Sequence, residues 1–162
     1  MERDLVTEKT YLFDWGDTLM RDFSDQAGKM CDWQKLEAMP NAQKALASLS
    51  QASQIYVATG AQQSTPKEIE RAFERVGLAK YISGYYCPAN LALQKGDAGF
   101  LPAILSKINQ PAENCCMVGD NWERDIVPAL EIGMQTIWYQ SESPSLMHET
   151  VRCIKNLKDL IE

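Results

Sequence analysis

Short apolar runs alternate with segments of helical period along this chain, and that alternation leaves few folds open. The runs are Tyr11–Phe13, Ile55–Ala58, Tyr81–Tyr86, Cys115–Val118 and Thr136–Tyr139. Each is rich in β-branched or aromatic residues, or short and apolar enough, to be a buried strand. Between them, Asn41–Ser50 carries Ala45, Leu46 and Leu49 on one face, behind Pro40. Pro66–Val76 sets Ile69, Ala72, Phe73 and Val76 at i, i+3, i+4 and i+7, with Pro66 suited to a first turn. Phe100–Ile108 repeats the stripe with Ile104, Leu105 and Ile108, and Glu123–Ile132 follows, closed by Gly133 as a C-cap. The tail, Val151–Ile161, reads as a last amphipathic helix.

This order predicts a three-layer α/β/α, Rossmann-like fold with a central, mostly parallel sheet, and one domain over residues 1–162. Such sheets bind ligands beyond the carboxyl ends of their strands. Asp14 follows the first strand, Thr59 and Gly60 the second, and Asp120 the fourth. Lys95 lies in the loop before the third major helix. The fold would gather these groups in one crevice.

Composition narrows the partners. The chain has 162 residues and a formal net charge of -6, and its acidity argues against broad binding to nucleic acid or an anionic membrane. The N-terminus has charges of both signs and no apolar core, and no run approaches a membrane-spanning length. The five cysteines include no C-x-x-C pair, which fits a reduced cytoplasm better than a disulfide framework or metal cluster. Cys115 and Cys116 read as core, as do Met134 and Trp138. Trp15 and Trp122 read either as packing or as lining of the crevice mouth. The single histidine, His148, sits in a polar stretch and reads as surface, which leaves no basis for a Ser-His-Asp triad.

Adjacent carboxylates repel, and burial makes this worse. A divalent cation relieves it, and oxygen-only ligands suit Mg²⁺. A lysine and a hydroxyl beside the metal would hold a dianion such as phosphate. Asp14 could then serve as metal ligand or as nucleophile.

The segments that carry this chemistry resemble the motifs of the haloacid dehalogenase-like (HAD) hydrolases. YLFDWGDTLM is similar to their first motif, IYVATG to the second, the lysine of LQKGDAGFLPAIL to the third and CCMVGDNWERDIVPALEIGM to the fourth, in family order over residues 10–139. The resemblance implies a Mg²⁺-dependent phosphatase that cleaves phosphate monoesters through an aspartyl-phosphate on Asp14. It implies Asp14, Asp120 and the backbone carbonyl of Gly16 as metal ligands. Thr59 and the Gly60 amide would hold the phosphoryl oxygens, and Lys95 would neutralise them together with Asp14. Asp125 would orient Lys95 or a metal-bound water. Asp97 is expected to cap the following helix.

One position departs from the pattern. The family's acid/base aspartate stands two residues after the nucleophile; here that residue is Gly16, and Asp17 follows it. Either the glycine lets Asp17 reach the leaving group, or Asp17 caps a loop or faces solvent. Acid–base help is typically worth about 10²–10⁴-fold, so its loss would slow such an enzyme rather than abolish it. Haloacid dehalogenases and phosphonoacetaldehyde hydrolases also lack that acid but rely on a sizeable cap. Only 21 residues, Leu19–Met39, separate the first motif from Pro40, and 35 separate Thr59 from Lys95. The chain therefore reads as capless or minimally capped, with residues 21–39 a short flap, an oligomer contact or a surface loop. An open crevice suits a large phosphorylated partner, or a small substrate enclosed by a second subunit. The competing reading is a catalytically impaired phosphoryl-binding or interaction protein on the same scaffold. A two-component receiver domain is disfavoured by the motif order, since here the second acidic cluster comes last.

Overall fold

The computed structural model describes residues 9–23, 25–140 and 151–161. His148 lies outside them. The framework is a six-stranded sheet of order β3-β2-β1-β4-β5-β6, and every neighbouring pair is parallel. The strands are β1 (Thr10–Phe13), β2 (Ile55–Ala58), β3 (Gly84–Tyr86), β4 (Cys115–Gly119), β5 (Gln135–Tyr139) and β6 (Arg152–Ile154). The helices are α1 (Ala42–Leu49), α2 (Pro66–Arg75), the single turn α3 (Pro88–Leu91), α4 (Phe100–Ile108) and α5 (Val127–Glu131).

Side chains alternate across the sheet with the strand period of two, and each face buries its own apolar cluster. Phe13, Val57, Cys116 and Val118 pack with Leu46 of α1 and with Ile69 and Phe73 of α2. Leu12, Ala58, Cys115 and Met117 pack with Phe100 and Ile104 of α4 and Ala129 of α5. Two covered faces make the expected three-layer α/β/α arrangement and explain why the strands read as unbroken apolar runs. All five cysteines are free thiols, and no helix of the described residues is long and apolar enough to cross a membrane.

Residues 21–23 and 25–39 form one wall beside this frame. They contain a 3₁₀ turn, Met30–Asp32, and Met30, Cys31, Trp33 and Met39 are buried. Side chains of α2 hold the segment: Arg75 Nη1 donates to the carbonyls of Cys31 (3.1 Å) and Trp33 (2.5 Å). Arg71 pairs with Asp32 at 3.1 Å, and Lys29 reaches Glu68 at 2.7 Å. α2 is itself well anchored, because Thr65 and Glu68 cap each other's backbone amides and Pro66 opens the first turn.

Three sequence expectations need correction. The tail is not a helix: Arg152–Ile154 adds to the sheet beside β5, and Leu157–Leu160 is a 3₁₀ turn. Val151, Ile154 and Leu157 are all buried, so the spacing that mimicked a helix stripe comes from a strand followed by a tight turn. Tyr81–Tyr86 yields a shorter strand, because the Tyr81 and Ile82 amides are engaged in turn bonds to Leu78 and Ala79. Trp138 is half-buried rather than core. Its ring packs on Trp122, with centroids 4.6 Å apart, and its indole N–H donates to the Asp120 carbonyl at 3.1 Å.

Candidate active site

The strand order reverses between β1 and β4, so the loops leaving these two strands turn apart and open a crevice. Phe13 pairs with Val118 in register, and the Asp14 amide continues the ladder to the Val118 carbonyl at 2.9 Å. Asp14 and Asp120 therefore leave adjacent strand ends side by side. A cleft of about 530 Å³ opens above them, lined by Asp14, Gly16, Asp17, Thr59, Gly60, Lys95, Asp120 and Asp125 among others. Every candidate residue from the sequence contributes to it.

Lys95 is the hub. Its side chain is 2% exposed, and Nζ lies 2.6 Å from Asp14 Oδ1 and 2.5 Å from Asp125 Oδ1. It also donates to the Ala58 carbonyl at 3.0 Å. Burial works to lower the Lys95 ammonium, but Asp14 and Asp125 outweigh it and hold the group above its ordinary value. Burial likewise works to raise Asp14, yet Lys95 and the hydrogen bonds from Asp120, Lys95 and the Trp15 amide keep it below the ordinary carboxylate range. Asp120 has no such cation among the described residues. Burial and the neighbouring Asp14 push it up to about 8, hydrogen-bonded to Asp14. Asp125 is raised to about 6 by burial and by Asp14, against the pull of Lys95.

One carboxylate oxygen from each of Asp14, Asp120 and Asp125 lies within 4.8 Å of the other two. Three clustered carboxylates, of which Asp14 and Asp125 share one ammonium and Asp120 and Asp125 are raised above the ordinary range, are a donor set that fits a hard divalent cation. Thr18, which sequence reasoning passed over, ties the group together. Its hydroxyl lies 3.2 Å from Asp14 Oδ2 and 3.3 Å from Asp120 Oδ1, and can donate to either.

Local structure fixes the remaining groups. Thr59 is buried at the end of β2; its amide donates to the Tyr86 carbonyl and its hydroxyl accepts from the Ala61 amide at 3.2 Å. A Cβ on Gly60 would lie 3.1 Å from Lys95 Cβ, so glycine lets the two loops close on each other. Asp97 corrects the expectation of a helix cap. α4 starts at Gly99 without a side-chain cap, and the Asp97 carboxylate accepts from the Gln94 amide at 2.9 Å while its own amide returns to the Gln94 carbonyl. Asp97 thus clamps the turn that presents Lys95.

Asp125 sits in a π-helical turn, Trp122–Ile126, ahead of α5. Asn121 caps that turn through Arg124, and the Asn121 amide donates to Asp125 Oδ2 at 3.1 Å. Asp125 packs onto the end of β4: a Cβ on Gly119 would lie 2.2 Å from Asp125 Oδ2 and 2.7 Å from its Cβ. Gly119→Ala must therefore push the whole Asp125 side chain off Lys95. Overpacking of this kind costs about 1–3 kcal/mol. Urea denaturation should show that loss, and an unchanged midpoint would contradict the packing described.

Trp15 is buried, with its ring against Phe73 and its indole N–H on Met20 Sδ, and it also lines the cleft. Asp17 has a left-handed backbone, φ 61°, and its exposed carboxylate accepts from the Asp22 amide at 3.0 Å. Two further cleft residues were given no role by the sequence reading. One is Asp22. The other is Arg124, whose guanidinium approaches Gly60 and has no ion pair among the described residues.

The comparisons with known proteins bear on the fold. Residues 93–159, which include Lys95, Asp120 and Asp125, match the HAD-hydrolase-like family model. An uncharacterized protein from Listeria monocytogenes serotype 4b has a solved structure that superposes with a TM-score of 0.80 at 20% identity, over 93% of this chain and 93% of that one. This is a HAD-like fold. YfnB from Bacillus subtilis, named as a HAD-hydrolase and solved bound to magnesium, is similar at a TM-score of 0.76 and 15% identity, over 94% of this chain and 96% of that one. A predicted phosphoglycolate phosphatase from Haemophilus somnus 129pt gives 0.75 and 13%, over 97% and 98%. No curated protein matches the sequence. The crevice between β1 and β4 is where the motif residues of this chain converge.

Proposed function

We propose that this HAD-like chain is a Mg²⁺-dependent phosphatase that cleaves phosphate monoesters through an aspartyl-phosphate on Asp14. The observation that carries the reading is the position of Asp14, buried, kept ionised by Lys95 at 2.6 Å, and grouped with Asp120 and Asp125. Asp14, Asp120 and the Gly16 carbonyl would hold the cation, with Asp125 beside them. The cation would supply charge neutralisation on the phosphoryl oxygens.

The chain's own groups perform the rest. Asp14 attacks phosphorus in line and takes the phosphoryl group. The ester oxygen leaves with the bonding electron pair and is protonated, and water then releases inorganic phosphate from Asp14. The Thr59 hydroxyl and the Gly60 amide orient the transferring oxygens, and Lys95 stabilises their charge. Because the walls of the cleft are loops and the segment held to α2, the donor can be a small ester or a phosphorylated macromolecule. Assay of the purified protein against a panel of phosphate monoesters, with Mg²⁺ and with chelator, tests the reading. Hydrolysis that requires Mg²⁺ is expected, and no turnover of any ester would overturn it.

Metal and pH are linked in a definite direction. Asp120 is pushed up to about 8 and Asp125 to about 6, from an ordinary 3.8. The metal-free folded protein thus keeps protons that the unfolded chain has already released. Its stability should fall as pH rises from about 4 to about 8. Asp14, held low, acts oppositely, and only below about pH 4. A cation replaces the retained protons, so Mg²⁺ should raise the melting temperature more at pH 8 than at pH 5. Asp120→Asn should remove most of that difference. Equal Mg²⁺ shifts at both pH values would contradict the linkage.

A further inference from the structure

The cleft holds a carboxylate that neither the motif pattern nor the mechanism above employs. A Cβ on Gly16 would lie 3.5 Å from Asp22 Cβ, 3.8 Å from its Cγ and 3.6 Å from Oδ2. The space into which a side chain at position 16 would project is thus bordered by the Asp22 carboxyl group. Asp22 lines the same cleft as Asp14.

The loop is built to bring it there. After β1 the chain makes a tight turn in which the Asp17 amide donates to the Met20 carbonyl at 2.6 Å. Gly16 and Met20 form an isolated bridge, and Met20 pairs in turn with Ala38. The chain returns beside Gly16, and the Asp17 carboxylate anchors the Asp22 amide at 3.0 Å. A glycine at 16 leaves the room that Asp22 borders, and an aspartate at 17 tolerates the left-handed backbone of the turn, φ 61°. Both halves of the Gly16–Asp17 departure thus have a use.

We infer that Asp22 is the acid/base of this site, supplied from the loop in place of a carboxylate at position 16, with Asp17 as its positioning residue. The inference rests on the phosphatase reading. In the first step Asp14 bonds to phosphorus, the ester P–O bond breaks with its electron pair passing to the leaving oxygen, and the Asp22 carboxyl gives that oxygen its proton. Alcohol and an Asp22 carboxylate result. In the second, Asp22 takes a proton from water as the water oxygen bonds to phosphorus. The bond to Asp14 breaks, Asp14 regains its carboxylate, and inorganic phosphate leaves.

Leaving-group dependence tests this, with p-nitrophenyl phosphate as the aryl ester and glycerol 3-phosphate as the alkyl ester. Nitrophenolate leaves without a proton, whereas an alkoxide does not. Asp22→Asn should lower alkyl turnover by about 10²–10⁴-fold. On the aryl ester it should still release a rapid burst of one nitrophenolate per protein, followed by slow turnover, because only the hydrolytic step then lacks its base. Gly16→Asp combined with Asp22→Ala moves the carboxylate to the neighbouring position, and should recover alkyl turnover relative to Asp22→Ala alone. Wild-type alkyl turnover in Asp22→Asn overturns the inference. So does a wild-type protein that hydrolyses the aryl but not the alkyl ester, which leaves the phosphatase reading standing. Failure of the wild type on both esters overturns the two together.

Discussion

Asp14→Asn should lower phosphatase turnover by about 10⁴-fold or more, the scale of loss when a covalent nucleophile is removed. The amide is nearly the same size: its oxygen can still accept from Lys95, which lies 2.6 Å from Oδ1, while its NH2 takes the place of Oδ2 and can donate to the Thr18 hydroxyl 3.2 Å away. What disappears is the negative oxygen that the proposed mechanism bonds to phosphorus. Fold and thermal stability should therefore survive far better than rate. The variant should also fail to trap phosphate covalently when the reaction is quenched in acid and the intact protein weighed. A variant that keeps a tenth of wild-type turnover would show that some other group is the nucleophile.

Lys95→Met should unfold the protein more easily and silence it as well. The Lys95 ammonium lies between Asp14 and Asp125 in a setting that leaves its side chain 2% exposed. Removing one member of a buried ion pair leaves the other charge without compensation, at a cost of about 3–5 kcal/mol. Methionine matches the length of the lysine stem, so lost packing contributes little. The loss should appear as a lower urea midpoint at neutral pH. Adding Asp125→Asn should restore part of it, because one uncompensated carboxylate goes. If the single variant were as stable as the wild type, the pairing would not govern stability here.

Much of this molecule could be read from its residues, for reasons that are local. β1, β2 and β4 are inner strands, covered on both faces, so burial writes them as apolar runs. Asp14, Thr59 and Asp120 stand directly after those runs, and strand ends can be located even where side-chain partners cannot. β6 could not be read, because an edge strand is defined by the backbone groups of β5, which no pattern in Val151–Ile161 encodes. Asp97 was misread for a similar reason: an acid near a helix start can cap the helix or brace the preceding turn, and only coordinates tell the two apart. Thr18, Asp22 and Arg124 act through space across loops, beyond the reach of periodicity. The exchange of Gly16 and Asp17 was the sole trace in the sequence that the loop after β1 is unusual.

The crevice depends on pairing between distant parts of the chain. The Thr18 hydroxyl and the Asp120 carboxylate that it approaches are separated by 102 residues, and only the ladder between β1 and β4 brings them together. Contacts of such long sequence separation are slow to form. A ligand that requires both strand ends has no foothold on a partly assembled chain, and binding would reward only molecules that have completed the central pairing. Cation occupancy would thus act as a proofreader of topology during refolding, by favouring chains whose two halves have joined.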